Sequence, residues 1–181
     1  MRNNNGYSLI ELVVVIVIVV IGILSVAAVP KFMNIQNEAR EARLYSVRGA
    51  LESGVNMAHG MMMLEGKEHY RYVSNKIDGQ TADGYGVIPA QDLPFKGCEV
   101  DGSKSCAFIY GYPDADENNL SIVLKGILGS SSLWKVHRTE NERGTAYITP
   151  LNQSEFKQCS VRYQIPLSQE EEYRIDVLPC A

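Results

Sequence analysis

The chain of 181 residues has no basic block: its 17 Lys and Arg are scattered and outnumbered by 21 Asp and Glu, for a net charge of −4. A nucleic-acid binder needs a Lys/Arg-rich face, so that class is excluded. There is no G-x-S-x-G, no phosphate-binding glycine loop and no H-E-x-x-H. The three histidines, His59, His69 and His137, lie far apart in the sequence. No enzyme and no cofactor are expected. Repeats and low-complexity tracts are missing too, and with 45% apolar and 21% charged residues the composition is that of an ordinary globular domain. Charge is wholly absent from one place, the run Leu12 to Val29, LVVVIVIVVIGILSVAAV.

As a helix, that run would span roughly 27 Å at about 1.5 Å per residue, close to the hydrocarbon core of a bilayer. A cleaved secretory signal would have a shorter apolar core and a small-residue cleavage site; here Ala27-Ala28 leads into Val29-Pro30-Lys31 instead. A plain membrane anchor fits the length but gives no reason for Glu11 at its start. Glu11 is the only carboxylate or cation between Arg2 and Lys31, and an acid in lipid needs a partner or a role. Snorkelling to the headgroups is one answer. The leader Met1–Gly6 (MRNNNG) suggests another. Cleavage after Gly6 would create an α-amino group on Tyr7, one helical turn before Glu11, and an ammonium–carboxylate pair can select position and register.

Gly6-Tyr-Ser-Leu-Ile-Glu11-Leu-Val-Val-Val-Ile closely resembles the N-terminus of type IV prepilins, including the pseudopilins of type II secretion. The resemblance implies cleavage between Gly6 and Tyr7 by a prepilin peptidase that also N-methylates Tyr7. It implies that Glu11 pairs with the N-terminal amine of a neighbouring subunit during assembly. Further patches are similar to the mannose-sensitive haemagglutinin (MSHA) pilins of marine Gram-negative bacteria: Ala27-Ala28-Val29-Pro30-Lys31-Phe32, Asn34 to Arg40, Gly49-Ala50-Leu51, Glu65-Gly66-Lys67-Glu68 and Tyr110-Gly-Tyr-Pro113. Gly22 and Pro30 stand about two residues later than in that family.

Pro30 removes a backbone donor and Gly22 weakens a helix, so a kink or local break is expected; by the resemblance, the stretch between them melts when subunits leave the bilayer. Beyond Pro30, to residue 64, the helix continues in amphipathic form, with Leu44, Val47, Leu51, Val55, Ala58 and Met62 forming one buried face. Arg40, Glu41, Arg43, Arg48 and Glu52 form its polar side. Met61-Met62-Met63 reads as core filling at the helix end. Residues 65–181 form the head. Val73 to Gly86 carries turn chemistry. Leu133–Thr139 and Thr145–Leu151 form a hairpin, and Cys159–Ile165 and Tyr173–Leu178 flank a second turn. Ser121–Leu128 is ambiguous between strand and helix. Together these predict an α+β fold, a long N-terminal helix packed on a C-terminal antiparallel sheet; by resemblance, the pilin fold.

The four cysteines permit three pairings, and their spacing matches no zinc pattern. An exported domain keeps disulfides. We favour Cys98–Cys106 and Cys159–Cys180, the second enclosing, by resemblance, the variable C-terminal loop of pilins. Asp114, Asp116, Glu117 and Asn118 crowd one turn, a weak calcium candidate without EF-hand spacing that reads better as a solvated turn. Asn119-Leu-Ser and Asn152-Gln-Ser fit the glycosylation triplet. The resemblance implies a homopolymer, handled by the prepilin peptidase/N-methyltransferase, inner-membrane assembly machinery and an outer-membrane secretin, and meeting surfaces, glycans or phage. The subunit would sit in the inner membrane of a Gram-negative bacterium with its head in the periplasm, then in an extracellular pilus. The rival readings are a minor pilin, a pseudopilin, or a periplasmic domain tethered by residues 7–29.

Overall fold

A computed structural model describes residues 8–76, 89–129 and 131–180, without the side-chain surroundings of residues 26–34. The chain divides into two compact units, Met1–Arg40 and Glu41–Ala181. Helix α1, Leu9–Leu64, supplies most of the first unit and opens the second. The second unit continues with β1 (Val73–Ser74), β2 (Ala107–Ile109), β3 (Tyr112–Pro113), α2 (Glu117–Val123), β4 (Trp134–Arg138), β5 (Thr145–Pro150), β6 (Ser160–Gln164) and β7 (Arg174–Leu178). Strands β4-β5-β6-β7 form an antiparallel meander in sequence order, and β1-β2-β3 a small separate sheet. The layout is α+β, a helix packed on antiparallel sheet, consistent with the pilin fold.

In the first unit, every large apolar side chain from Leu9 to Leu24 is between 47% and 83% exposed. No periodicity singles out a face, because Val, Ile and Leu occupy nearly every position. Ser25, the polar exception, turns its hydroxyl back onto the Ile21 carbonyl at 2.7 Å, so it makes no demand on its surroundings. Among the described residues no helix is long and apolar enough to cross a membrane. The expected span of residues 7–29 is therefore not shown: the apolar side chains described, Leu9–Ser25, cover roughly 25 Å of helix, short of a hydrocarbon core of about 30 Å. The helical backbone passes through Gly22 and Pro30.

In the second unit α1 becomes one-sided. Leu44, Val47, Leu51, Val55, Ala58 and Met62 are all buried, as their steps of three and four residues dictate. Leu44 to Val55 share a core with Ala146 and Ile148 of β5 and Val161 and Tyr163 of β6. The sheet register places Val161 opposite Val177 and Tyr163 opposite Ile175, so the alternating apolar residues of β6 and β7 fall on that same face. A second cluster gathers Ala58 and Met62 with Val73, Phe108, Ile122 and the Cys98–Cys106 bridge. Of the three consecutive methionines only Met62 is core; Met63 is exposed and Met61 half-buried, since adjacent helical residues point about 100° apart.

Two segments differ from expectation. Val73 does not begin a loop: it pairs with Phe108, and β2 pairs onward with β3, Ile109 of β2 facing Tyr112 of β3 across a two-residue turn. Tyr110 and Gly111 both have positive φ, at 48° and 78°, as the tight hairpin turn requires. A Cβ on Gly111 would sit 2.8 Å from the His59 ring, so this turn lies directly on the end of α1. Ser121 to Leu128, ambiguous by pattern, begins as helix: α2 carries Ser121 to Val123 and ends there, with Leu124 as its C-cap.

Candidate functional site

The residues that sequence reasoning assigns to assembly lie at the start of α1. Gly6 and Tyr7, the expected cleavage and N-methylation positions, fall outside the described residues. Glu11 lies in the first helical turn, exposed. Its Oε2 accepts the Ser8 backbone N–H at 3.0 Å, while the Glu11 N–H donates to Ser8 Oγ at a long 3.4 Å. These reciprocal bonds make a capping box, Ser8 serving as N-cap and Glu11 three residues on, satisfying donors that a helix start otherwise leaves open. The negative carboxylate is also favoured at the positive end of the helix dipole. Glu11 Oε1 has no hydrogen bond to the described residues and is left for a further partner. Ser8 was not singled out in the sequence, although S-x-x-E before an apolar run is a visible capping signal.

The structure joins Cys98 to Cys106 and Cys159 to Cys180, with Cα separations of 5.6 and 4.1 Å. Both loops are held by more than sulfur. Inside the first, buried Asn75 donates to the carbonyls of Glu99 and Lys104, each at 2.9 Å, and accepts the Cys106 N–H at 2.8 Å. Those are three of the bonds an amide can make, and they give a short loop the order a core would otherwise supply. At the second bridge, the Cys180 N–H donates to Glu41 Oε1 at 3.2 Å, and Tyr173 Oη donates to Asn56 Oδ1 at 2.8 Å. The C-terminal strand is thus laced to α1 at both ends.

The acidic turn is occupied by its own structure. Asp116 is the N-cap of α2; it accepts the Asn119 backbone N–H at 2.9 Å and the Asn119 side-chain amide at 2.6 Å. Asp114 is buried, accepts the Ala115 N–H at 2.7 Å and lies 3.7 Å from Arg138. Burial pushes its carboxyl above the usual range, Arg138 opposing the shift. Glu117 and Asn118 are exposed on the first turn of α2. Among the described residues no three His, Cys, Asp or Glu side chains are placed to hold a metal. Asn119 is buried, its Oδ1 accepting the Ala107 N–H at 2.7 Å, so its triplet cannot carry a glycan in the folded chain; Asn152 is exposed. His59 stacks on Tyr112 at 4.1 Å and His137 on Phe156 at 5.4 Å. Burial lowers both imidazoles below their ordinary range, and His137 Nε2 lies 3.1 Å from the hydroxyl of Thr149, which is fully buried.

Residues 1–27 match the family described as the prokaryotic N-terminal methylation motif. The match supports a type IV pilin-like or pseudopilin-type protein, a structural class that a prepilin peptidase processes and that polymerises. No curated protein and no solved structure matches the chain.

Proposed function

We propose that the chain is a type IV pilin subunit of the MSHA-like kind, which polymerises through its N-terminal helix into a surface filament for adhesion, surface attachment and biofilm formation. The observation that carries the reading is the all-round exposure of the apolar side chains from Leu12 to Leu24, directly after a capped Glu11 within the matched motif. An apolar helix without a polar face must be covered by lipid or by other helices. Before assembly, residues 7–29 lie in the inner membrane with the head in the periplasm; after cleavage behind Gly6, copies of the same segment cover one another in the fibre. The Glu11 oxygen without a described partner then meets the Tyr7 ammonium of a neighbour and sets the register of the two subunits. Gly22 and Pro30 let the helix between them lose turns on leaving the bilayer. The sheet and the Cys159–Cys180 loop coat the outside.

The test is intact mass and N-terminal sequencing of the protein in filaments shed from the native cell. A chain that begins with N-methylated Tyr7, abundant there and short of four hydrogens for two disulfides, is the expected result. A processed chain confined to the membrane would make it a pseudopilin or a minor subunit instead. An intact Met1 in the mature protein would overturn the assembly reading and leave a tethered periplasmic domain.

A further inference from the structure

The face of the four-stranded meander turned away from α1 would be expected to meet water. Side chains alternate between the two faces of a strand, and Ala146, Ile148, Val161 and Tyr163 join the core shared with α1, so Tyr147, Thr149 and Ser160 point the other way. All three are nonetheless buried. The connection between β5 and β6 covers this face. Its Phe156 stacks on His137 of β4, with centroids 5.4 Å apart, and tilts against Tyr147 of β5 at the same distance. Its Lys157 reaches Glu142, in the turn between β4 and β5, at 2.5 Å. Residues 151–158 thus lie across the outer face as a strap, fixed at one end by Pro150 in β5 and at the other by the bridged Cys159. The strap carries its own order, since the Gln153 side-chain amide donates to the carbonyls of Glu155 and Gln158. Its hold on the sheet is weaker. The Lys157–Glu142 pair is largely exposed and so is screened, which leaves the Phe156 ring contacts as the main tie. Against them stands Ser160, whose hydroxyl is shut from solvent without a hydrogen-bond partner, a cost that opening removes.

We propose that residues 151–158 are an acid-sensitive strap, which lifts from the outer sheet face as a unit while the meander stays folded, and which a proton on His137 holds open. Such local opening draws on the least stable contacts of a fold and leaves the rest in place. Neutral His137 fits the closed strap, its Nε2 hydrogen-bonded to the Thr149 hydroxyl at 3.1 Å. The charges on this face are Lys135 of its own strand, Lys157 of the strap, Arg162 of β6 with its partner Asp176 of β7, and Glu142. Burial, aided by Lys135, holds the His137 imidazole below its ordinary value of 6.5. Lifting the strap removes that burial, so the open form takes up the proton first and gains as the pH falls through about 6.5. Glu142 is itself held below the usual carboxylate range by its bonds to Lys157 and Tyr147, so its protonation loosens the same latch only in stronger acid. The device is independent of filament assembly, since all of its residues lie in the second unit.

The test uses the full chain in detergent micelles and two readouts. In the first, a thiol is placed beneath the strap by Thr149→Cys, or on the core face of the same strand by Ala146→Cys, and its alkylation by iodoacetamide is followed by mass at pH 7.5. Thr149→Cys is expected to label about tenfold faster or more than Ala146→Cys, which must wait for the sheet to unfold. Adding Phe156→Ala should speed Thr149→Cys by about tenfold again and leave Ala146→Cys unchanged. Should Phe156→Ala not fold, Glu142→Gln serves instead, with the same direction and a severalfold effect. In the second readout, the His137 ring protons are titrated by NMR in the otherwise native chain. Their midpoint is expected below 6.5 and should return to that value when Phe156→Ala or, in part, Glu142→Gln frees the strap. Equal labelling of the two thiols overturns the proposal, because the strap then opens only with the sheet. So does a His137 midpoint that neither variant moves, because the proton and the strap are then uncoupled.

Discussion

Gly54 and Gly49 sit five residues apart on α1, and the same substitution should move the stability of the head in opposite directions. A Cβ on Gly54 would lie 2.7 Å from the Val123 carbonyl oxygen and 3.0 Å from the Val123 Cβ. The nearest obstacle is backbone, at the end of α2, and α2 cannot easily retreat: Leu120 and Ile122 are buried beneath it, and Asn119 holds the Ala107 N–H. With a backbone atom as the obstacle, overpacking falls in the upper part of its usual range, about 2–3 kcal/mol, against a gain of about 1 kcal/mol from replacing glycine in a helix interior. Gly54→Ala should therefore lose about 1–2 kcal/mol. A Cβ on Gly49 meets nothing within 4 Å, so Gly49→Ala keeps the helix gain of up to about 1 kcal/mol. At roughly 3–4 °C per kcal/mol for a unit of this size, the two variants should melt about 6–12 °C apart, on either side of the parent. The single tryptophan, Trp134, lies half-buried in β4, so its fluorescence during thermal unfolding of the unassembled full chain in micelles reports the head alone. A Gly54→Ala chain as stable as the parent, or two variants that shift together, would refute the close approach of α2 to α1.

Ser8→Ala removes the cap at the start of α1 and should weaken the first turn by about 1 kcal/mol, read as roughly fivefold faster exchange in micelles of the Glu11 and Leu12 amides, which bond to Ser8. Glu11→Gln still accepts the Ser8 N–H, so it should keep that protection and yet, on the assembly reading, yield no sheared filaments. His59 is held below its ordinary pKa of 6.5 mainly by burial, with Glu68 and Glu172 opposing. The unfolded chain therefore takes up its proton first. Stability present above about pH 6.5 should be lost as the pH falls, and His59→Asn should make the urea midpoint fall less between about pH 7.5 and 5.5, with the lowered His137 supplying the rest. Replacing Cys159 and Cys180 by Ser opens a loop with a sequence separation of 21, worth about 3 kcal/mol by chain entropy; a denaturation midpoint unchanged by the double substitution would contradict that. Asn75→Ala strands the Cys106 N–H and two carbonyls, and should lower the unfolding free energy by about 2–4 kcal/mol without reducing either disulfide.

Residues whose burial follows a period were legible in advance. Leu44 to Met62 step along a helix, and Val161, Tyr163 and Ile165 alternate along a strand, because each of these elements buries one face against the other. Strand β2 gave no such sign: Ala107, Phe108 and Ile109 are all buried, so nothing alternates, and β1 and β3 are too short to show a pattern. Gly54 reads in the sequence as a helix weakness; its use is visible only once α2 is known to pass over it. Asn75 looks like a turn residue until its three partners, between 24 and 31 residues away in the chain, are brought to it. The capping box was visible but was overshadowed by the acid itself, since Glu11 reads as a charge in need of a partner and its first partner proves to be its own helix.

The same logic of periods separates the two halves of α1. From Leu44 onward the apolar residues keep to one stripe, and the protein's own sheet covers it. From Leu9 to Leu24 there is no stripe, and no residue of the head could be matched to a segment that is apolar on every side. A sequence without a period declares that what buries it surrounds it. Lipid and a bundle of identical helices both do so, and on the proposed function a helix that passes from one to the other has no use for a preferred face. What it does need is a fixed depth and a fixed neighbour, which apolar packing alone cannot specify because one valine resembles the next. A single carboxylate at the first turn can. One oxygen is bound to the Ser8 amide and the other is free of described partners, so on the proposed assembly Glu11 would stay seated in its own helix cap while meeting the ammonium of the next subunit. On that account Ser8→Ala should blur the register of the fibre without abolishing assembly, whereas Glu11→Gln should abolish it.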